Sequence, residues 1–284
     1  MAEHEDDAQD RTIELEGGRL LGYLDLGDPE GVPIVSCHGG LSSRLDVLPA
    51  AASATAHGVR LLAPDRPGIG QSDRREGRTL LDWPADVAAL ADQLGLDRFG
   101  VMGWSVGGLY AQAVGRSLGD RVRGVALIAS PIPPDWDGMR DELNRMDRVF
   151  LKLSGHAPGI DRTIFHLMHA TATHLPKAFA REMKLEGDVA TQLPAAIAEG
   201  LTDVAGVVDD YRVFGAPWGF EPSEITVPVH VWQGDADDLV PPAWGPRLAD
   251  AIPGARLTVV PDAGHFLWYD HWDDIFDWLL TTPA

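Results

Sequence analysis

The sequence predicts an α/β protein: a mostly parallel, doubly wound sheet of about eight strands with helices on both faces, interrupted by a helical insertion. Three observations predict it. Short apolar runs bounded by Gly and Pro alternate with amphipathic stretches from Arg11 to Ser130. The same alternation resumes at Val227 and continues to the end of the chain. Between Pro131 and about Ser223 no run has the character of a core strand, while helical patterns and Pro clusters abound.

The elements follow in order. RTIELEG and RLLGYLDLG read as two strands joined at Gly17-Gly18, a hairpin signal. VPIVSCHGG is a short apolar run ending in glycines, as suits a buried strand with a tight turn after it. SRLDVLPAAASATAHG is Ala-rich and reads as a helix stopped by Gly58. VRLLAPDRPGIGQSD is a strand running into a Pro/Gly loop, and LLDWPADVAALADQLGL has helical spacing. RFGVMGWS is a strand, VGGLYAQAVGRSLGD a helix and RVRGVALIAS a further strand. After the insertion come VPVHVWQGD (strand), PAWGPRLADAI (helix), ARLTVVPDAGH (strand) and the amphipathic helix DHWDDIFDWLL. The expected organisation is a disordered acidic tail over residues 1–10, a core over 11–130 and 224–284, and a helical insertion over 131–223.

Composition narrows the function. Hydrophobic residues make up 45% of 284 residues and charged ones 23%, an ordinary globular balance. The net charge is −20, from 43 Asp+Glu against 23 Lys+Arg. No basic footprint exists to neutralise phosphates, so no nucleic-acid partner is expected. An anionic membrane surface would repel the chain, and no apolar run approaches the roughly 20 residues that span a bilayer. The start MAEHEDDAQD lacks a basic, then apolar, leader, so a cytoplasmic protein is expected, as monomer or homodimer. The single cysteine, Cys37, allows no intramolecular disulfide and reads as a small buried apolar residue.

The chemistry concentrates in loops after strands. Gly103-Trp104-Ser105-Val106-Gly107-Gly108 follows a strand and opens a helix. There a serine sits on a sharp turn at the C-terminal edge of the sheet, before a helix N-terminus whose free N–H groups favour negative charge. A serine hydroxyl needs a base, and His265 follows the last strand at the same edge. A base needs an orienting carboxylate, and Asp235, Asp237 and Asp238 all follow the preceding strand. His166 and His169 share a helix face, but no carboxylate stands at ligand spacing. No metal and no cofactor are expected.

Taken together, these motifs resemble the α/β-hydrolase fold superfamily, from about Arg11 to the C-terminus. His38-Gly39-Gly40 is similar to its His-Gly turn after the third strand, and Pro64-Asp65-Arg66-Pro67-Gly68-Ile69-Gly70-Gln71-Ser72-Asp73 to its Asp-Arg-Pro-Gly loop. The order Ser105, Asp237, His265 is the family's chain order, and the spacing to Val240-Pro241 picks Asp237 from its neighbours. The resemblance implies Ser105 as nucleophile, His265 as base and Asp237 as its orienter, with Gly40 and Val106 as oxyanion donors. Leu41-Ser42-Ser43-Arg44 departs from the Pro-Gly that often follows His-Gly, so Gly39 and Leu41 stay open as donors. Gly39, Leu41 and Trp104 are the expected substrate contacts, and His38 is expected to bond neighbouring backbone.

The resemblance further implies that the insertion is a cap over the site, its Met146, Phe150, Phe165, Met183, Tyr211 and Phe214 packing the cap or facing the pocket. The implied function is cleavage of a carboxylic ester of a small, partly apolar molecule through an acyl-enzyme. Lactones, thioesters and amides use the same parts. A C–C-bond hydrolase, a non-hydrolytic cyclase and a non-catalytic receptor of the same fold are the alternatives. Serine rather than aspartate at the elbow disfavours dehalogenase and epoxide-hydrolase chemistry.

Overall fold

The computed structural model describes residues 9–156 and 159–282. Eight strands form one sheet in the order β1-β2-β4-β3-β5-β6-β7-β8. They are β1 (Gln9–Glu14), β2 (Leu20–Gly27), β3 (Val32–Cys37), β4 (Val59–Pro64), β5 (Phe99–Trp104), β6 (Val122–Ile128), β7 (Val229–Gly234) and β8 (Arg256–Val260). β2 runs antiparallel to both β1 and β4, and every other pairing is parallel. The mostly parallel sheet expected from the alternation is therefore present.

Burial explains the strand sequences. β5, in the middle, is buried at every position and reads Phe-Gly-Val-Met-Gly-Trp, as a strand covered on both faces must. The edge strands are wetter: only Ile13 is buried in β1, and nothing is fully buried in β8.

Five helices flank the sheet: α1 (Ala51–Ala56), α2 (Trp83–Gln93), α3 (Gly107–Ser117), and, after the insertion, α10 (Trp244–Ala251) and α11 (Trp272–Thr281). Neighbouring positions of β6 identify the two faces. A Cβ on Gly124 would meet Trp278 and Thr282 at the end of α11, whereas Val125 packs under Gly115 of α3.

Six helices lie between β6 and β7: α4 (Met139–Glu142), α5 (Arg145–His156), α6 (Ile160–His174), α7 (Pro176–Glu182), α8 (Val189–Gly200) and α9 (Val204–Gly215). No strand occurs there among the described residues. Phe150, Phe165 and Tyr211 form an aromatic centre for this group, with ring centroids 4.7, 5.2 and 5.8 Å apart.

Two expectations need correction. β1 begins at Gln9, so Gln9 and Asp10 belong to the sheet rather than to a tail; residues 1–8 of that tail lie outside the described residues. Asp10 is held because it accepts two hydrogen bonds from the buried Arg44, at 2.8 and 3.0 Å. The Ala-rich stretch expected as one helix divides into a 3-10 turn over Arg44–Ala50 and the short α1. Pro49 sits in that turn and has no N–H for a continuous α ladder. No helix among the described residues is long and apolar enough to cross a membrane.

The topology positions the site. From β3 the chain moves to one side to make β4, then crosses back past β3 to make β5. The carboxyl ends of β3 and β5 thus flank a switch point, where open α/β sheets form a crevice. β3 is followed by His38-Gly39-Gly40 and β5 by Ser105, so the two motifs meet there.

Candidate active site

Ser105 sits between β5 and α3 with φ 53°, in the left-handed region that costs a non-glycine residue about 1–2 kcal/mol. The turn is held because Ser105 N–H donates to the Ile128 carbonyl at 2.9 Å and Gly108 N–H to the Ser105 carbonyl at 2.8 Å. Gly107 is required sterically: a Cβ there would lie 1.9 Å from the Cys37 carbonyl oxygen. That contact is what lets α3 start directly beside the end of β3.

A hydrogen-bonded chain runs from the serine. His265 Nε2 lies 2.9 Å from Ser105 Oγ, and His265 Nδ1 lies 2.9 Å from Asp237 Oδ2. A carboxylate can only accept, so the ring proton sits on Nδ1 and Nε2 is left to accept from the Ser105 hydroxyl. Asp237 is buried and anchored by its other oxygen, which accepts from the N–H groups of Leu239 at 2.9 Å and Val240 at 2.8 Å. Asp235 and Asp238 are exposed. Asp235 instead accepts the Asp262 N–H at 2.7 Å, tying the β7 loop to the β8 loop that carries His265.

The turn after β3 lies against the elbow. A Cβ on Gly40 would come within 2.9 Å of Val106 Cγ2, so the two backbones are neighbours. Gly39 is different. Its N–H donates to Asp46 Oδ2 at 3.0 Å and its carbonyl accepts from Arg66 at 2.8 Å, so it is absorbed in the frame and does not line the cavity. His38 bonds backbone as expected: Nε2 accepts the Arg66 N–H at 3.1 Å and Nδ1–H donates to the Gly39 carbonyl at 3.0 Å. Burial, with Arg66 beside it, holds this imidazole well below the ordinary histidine range, which keeps it neutral. Burial likewise pushes the Cys37 thiol up to about 12, so it stays protonated.

Ser105 and His265 open into a cavity of about 70 Å³. Gly40, Leu41, Trp104 and Val106 form its floor, and Met146, Met183, Leu185, Leu193, Ile197 and Tyr211 of the insertion its roof. Leu41 and Trp104 therefore reach the cavity. Trp104 also serves the frame: its Nε1–H donates to the His265 carbonyl at 3.0 Å and its ring stacks on Trp268 at 4.6 Å. Phe150, Phe165 and Phe214 pack the insertion instead.

Sequence reading missed the buried charges behind the turn. Arg66, fully buried, donates to the carbonyls of His38 and Gly39 and to Asp210 of α9, the last at 2.7 and 2.9 Å. Arg78 donates to the other Asp210 oxygen and, at 2.7 Å, to the Tyr110 hydroxyl on α3. Burial alone would push the Asp210 carboxyl up, but the two guanidiniums outweigh it and hold it below the usual carboxylate range. Arg44 bridges Asp65 at 2.8 Å and Glu199 of α8 at 2.5 Å, and Arg74 reaches Asp209 at 2.7 Å. At Gly206 of α9 a Cβ would strike the Gly68 carbonyl oxygen at 1.9 Å, so α9 rests directly on the loop that carries Arg66. Arg66 stood in the loop motif without an assigned role, and Asp210 carries no local signal.

His169 of α6 is tied to the Ala198 carbonyl at 2.8 Å, and no three His, Cys, Asp or Glu side chains converge as metal ligands among the described residues.

Residues 32–271 match the model of the alpha/beta hydrolase fold family, and the chain belongs to that family. Its relatives include hydrolases. It is 28% identical to a 2-hydroxymuconate semialdehyde hydrolase of Pseudomonas putida, over 85% of this chain and 83% of that one. It is also 29% identical to the dihydrolipoyllysine-residue acetyltransferase component of an acetoin cleaving system, from the same species, over 88% of this chain and 63% of the relative, so it spans under two thirds of that protein. Among solved structures, a thermophilic esterase from Thermogutta terrifontis superposes with a TM-score of 0.71 at 24% identity, covering 97% of this chain and all 100% of that one. At that identity the likeness concerns the fold alone.

Proposed function

We propose that the protein is a serine hydrolase that cleaves a carboxylic ester, or a related acyl bond, of a small and partly apolar molecule. The observation that carries this reading is the unbroken chain Ser105 Oγ, His265 ring, Asp237 carboxylate, with 2.9 Å at each link, opening into an apolar cavity.

In this reading His265 Nε2 takes the Ser105 proton as Oγ attacks the acyl carbon. The carbonyl oxygen gains the negative charge and is held by the N–H groups of Gly40 and Val106, each worth on the order of 3 kcal/mol in such sites. Gly39 is unsuited to that task because its N–H is already given to Asp46. The tetrahedral species collapses, the ester oxygen leaves with the proton from His265, and the acyl group stays on Ser105. Water then repeats the sequence: His265 takes its proton, hydroxide attacks the acyl carbon, and Ser105 recovers its proton as the acid departs. Asp237 holds the ring and stabilises the imidazolium that forms twice per cycle. Helices α5 to α9 act as the cap, its apolar roof receiving the carbon skeleton of the substrate.

A fluorophosphonate probe tests the reading. Wild type should be labelled and Ser105→Ala should not; equal labelling of the two would refute it. A panel of p-nitrophenyl esters of rising chain length, run beside lactones and thioesters, identifies the bond and the acyl size.

A further inference from the structure

We propose that Asp147 and Tyr211 form a recognition point for a hydrogen-bond donor carried by the substrate, a hydroxyl or an ammonium group, on the part that lies under the cap. This rests on the acyl-transfer reading above and adds a substrate class to it.

The case begins with the composition of the cavity wall. Apart from that of Ser105, the side-chain oxygens among its lining residues belong to Asp147 and Tyr211. The Trp104 N–H is spent on the His265 carbonyl. In an apolar pocket a few placed polar groups fix how the ligand lies.

The two side chains come from different helices, α5 and α9, and are locked. Tyr211 O–H donates to Asp147 Oδ1 at 2.8 Å, and Asn144 Nδ2 donates to Asp147 Oδ2 at 2.7 Å. The Asn144 amide also reaches the Leu239 carbonyl at 3.1 Å, which couples the group to the loop bearing Asp237. Both carboxyl oxygens thus receive one donor and keep a free lone pair, so the group can accept another hydrogen bond without rearranging.

A helix cap explains part of this arrangement. Asn144 Oδ1 accepts the Asp147 N–H at 2.9 Å at the start of α5, and the link from Asn144 Nδ2 completes that cap. It does not explain why the second carboxyl oxygen faces the Tyr211 hydroxyl in the cavity wall. Burial pushes the Asp147 carboxyl up from its usual range against the opposing pull of Asn144, Tyr211 and the His265 ring. A desolvated carboxyl in the wall of that cavity gains from one further hydrogen-bond donor, which a substrate hydroxyl or ammonium group would supply.

The test measures kcat/KM for p-nitrophenyl butyrate, 3-hydroxybutyrate and 3-aminobutyrate, and for hexanoate against 6-hydroxyhexanoate. At least one donor-bearing ester should be preferred over its plain counterpart by about 10-fold, the factor that 1.4 kcal/mol of hydrogen bonding provides. The hydroxy and amino arms separate the two kinds of donor. In Asp147→Leu that preference should fall to about one or reverse, and Tyr211→Phe, which keeps the carboxyl and the packing, should reduce it. A purely structural role for Asp147 would change rates on all the esters together and leave the ratio intact. Labelled wild type with no preference anywhere in the series, or a preference that survives in both variants, overturns this proposal alone. Wild type that neither labels nor turns over any ester overturns the acyl-transfer reading and this proposal with it.

Discussion

Replacing Asp210 by asparagine removes one negative charge and almost no volume from a buried charge cluster. Arg66 and Arg78 expose 0% and 2% of their side chains, and Asp210 5%. Both guanidiniums would lose their salt-bridge partner, and breaking a buried ion pair in this way costs about 3–5 kcal/mol. With a urea m-value near 3 kcal/mol/M, the unfolding midpoint should drop by about 1–1.7 M. The carboxyl of Asp210 is held below its usual range, so its stabilisation is complete above the unfolded carboxyl pKa of about 3.9 and is lost as pH falls through the folded value. The difference between wild type and variant should therefore be constant through neutral pH and shrink only below about pH 4. Activity should fall as well, because Arg66 joins Asp210 to the carbonyls of His38 and Gly39 and so sets the turn that presents Gly40. The loss is bounded by the removal of one oxyanion donor, about 10²–10³-fold in kcat. Urea melts followed by tryptophan fluorescence, with ester kinetics on the same samples, measure both. A midpoint shift under about 0.3 M, or full activity in a clearly destabilised variant, would mean that this cluster does not support the turn.

Two further outcomes follow from the same geometry. Burial pushes the Asp46 carboxyl up to about 7 even though it accepts the Gly39 N–H, so the folded protein holds a proton there that the unfolded chain releases near pH 4. The contribution of Asp46 to stability must then fall as pH rises towards 7; Asp46→Asn should remove that part of the slope and gain about 2–3 kcal/mol on wild type between pH 5 and pH 8, and parallel curves for the two proteins in denaturation at both pH values would contradict it. Asp237→Asn should lower kcat by about 10⁴ with the fold intact, because the ring then sits in the wrong tautomer, whereas Asp238→Asn, at an exposed position, should leave kcat within about twofold; comparable losses in both would show that the choice between these aspartates is mistaken.

How much could be read beforehand varied with distance along the chain. The elbow is a local device: Gly103, Ser105 and Gly107 lie within five residues, and the strand before and helix after are short-range patterns. The split of the Ala-rich stretch was local too, since Pro49 stood in it. At Gly39 the N–H is consumed by Asp46, seven residues on, through a turn geometry that periodicity does not encode. Asp147 and Asp210 carry no local signal in the sequence. Their partners Tyr211, Arg66 and Arg78 lie 64, 144 and 132 residues away.

The doubly wound sheet, the interruption after β6, and a serine, a histidine and three candidate aspartates at the carboxyl edge were legible in the sequence, because each is written in spacing over a few residues. That Ser105, His265 and Asp237 stand within hydrogen-bonding reach, which of the aspartates is buried, and what faces them from above emerged only on folding. Packing pairs groups by position in space. A switch point brings β3 beside β5, and two buried arginines bind the insertion to that edge, so a carboxylate of α5 comes to share a cavity with a serine more than forty residues before it.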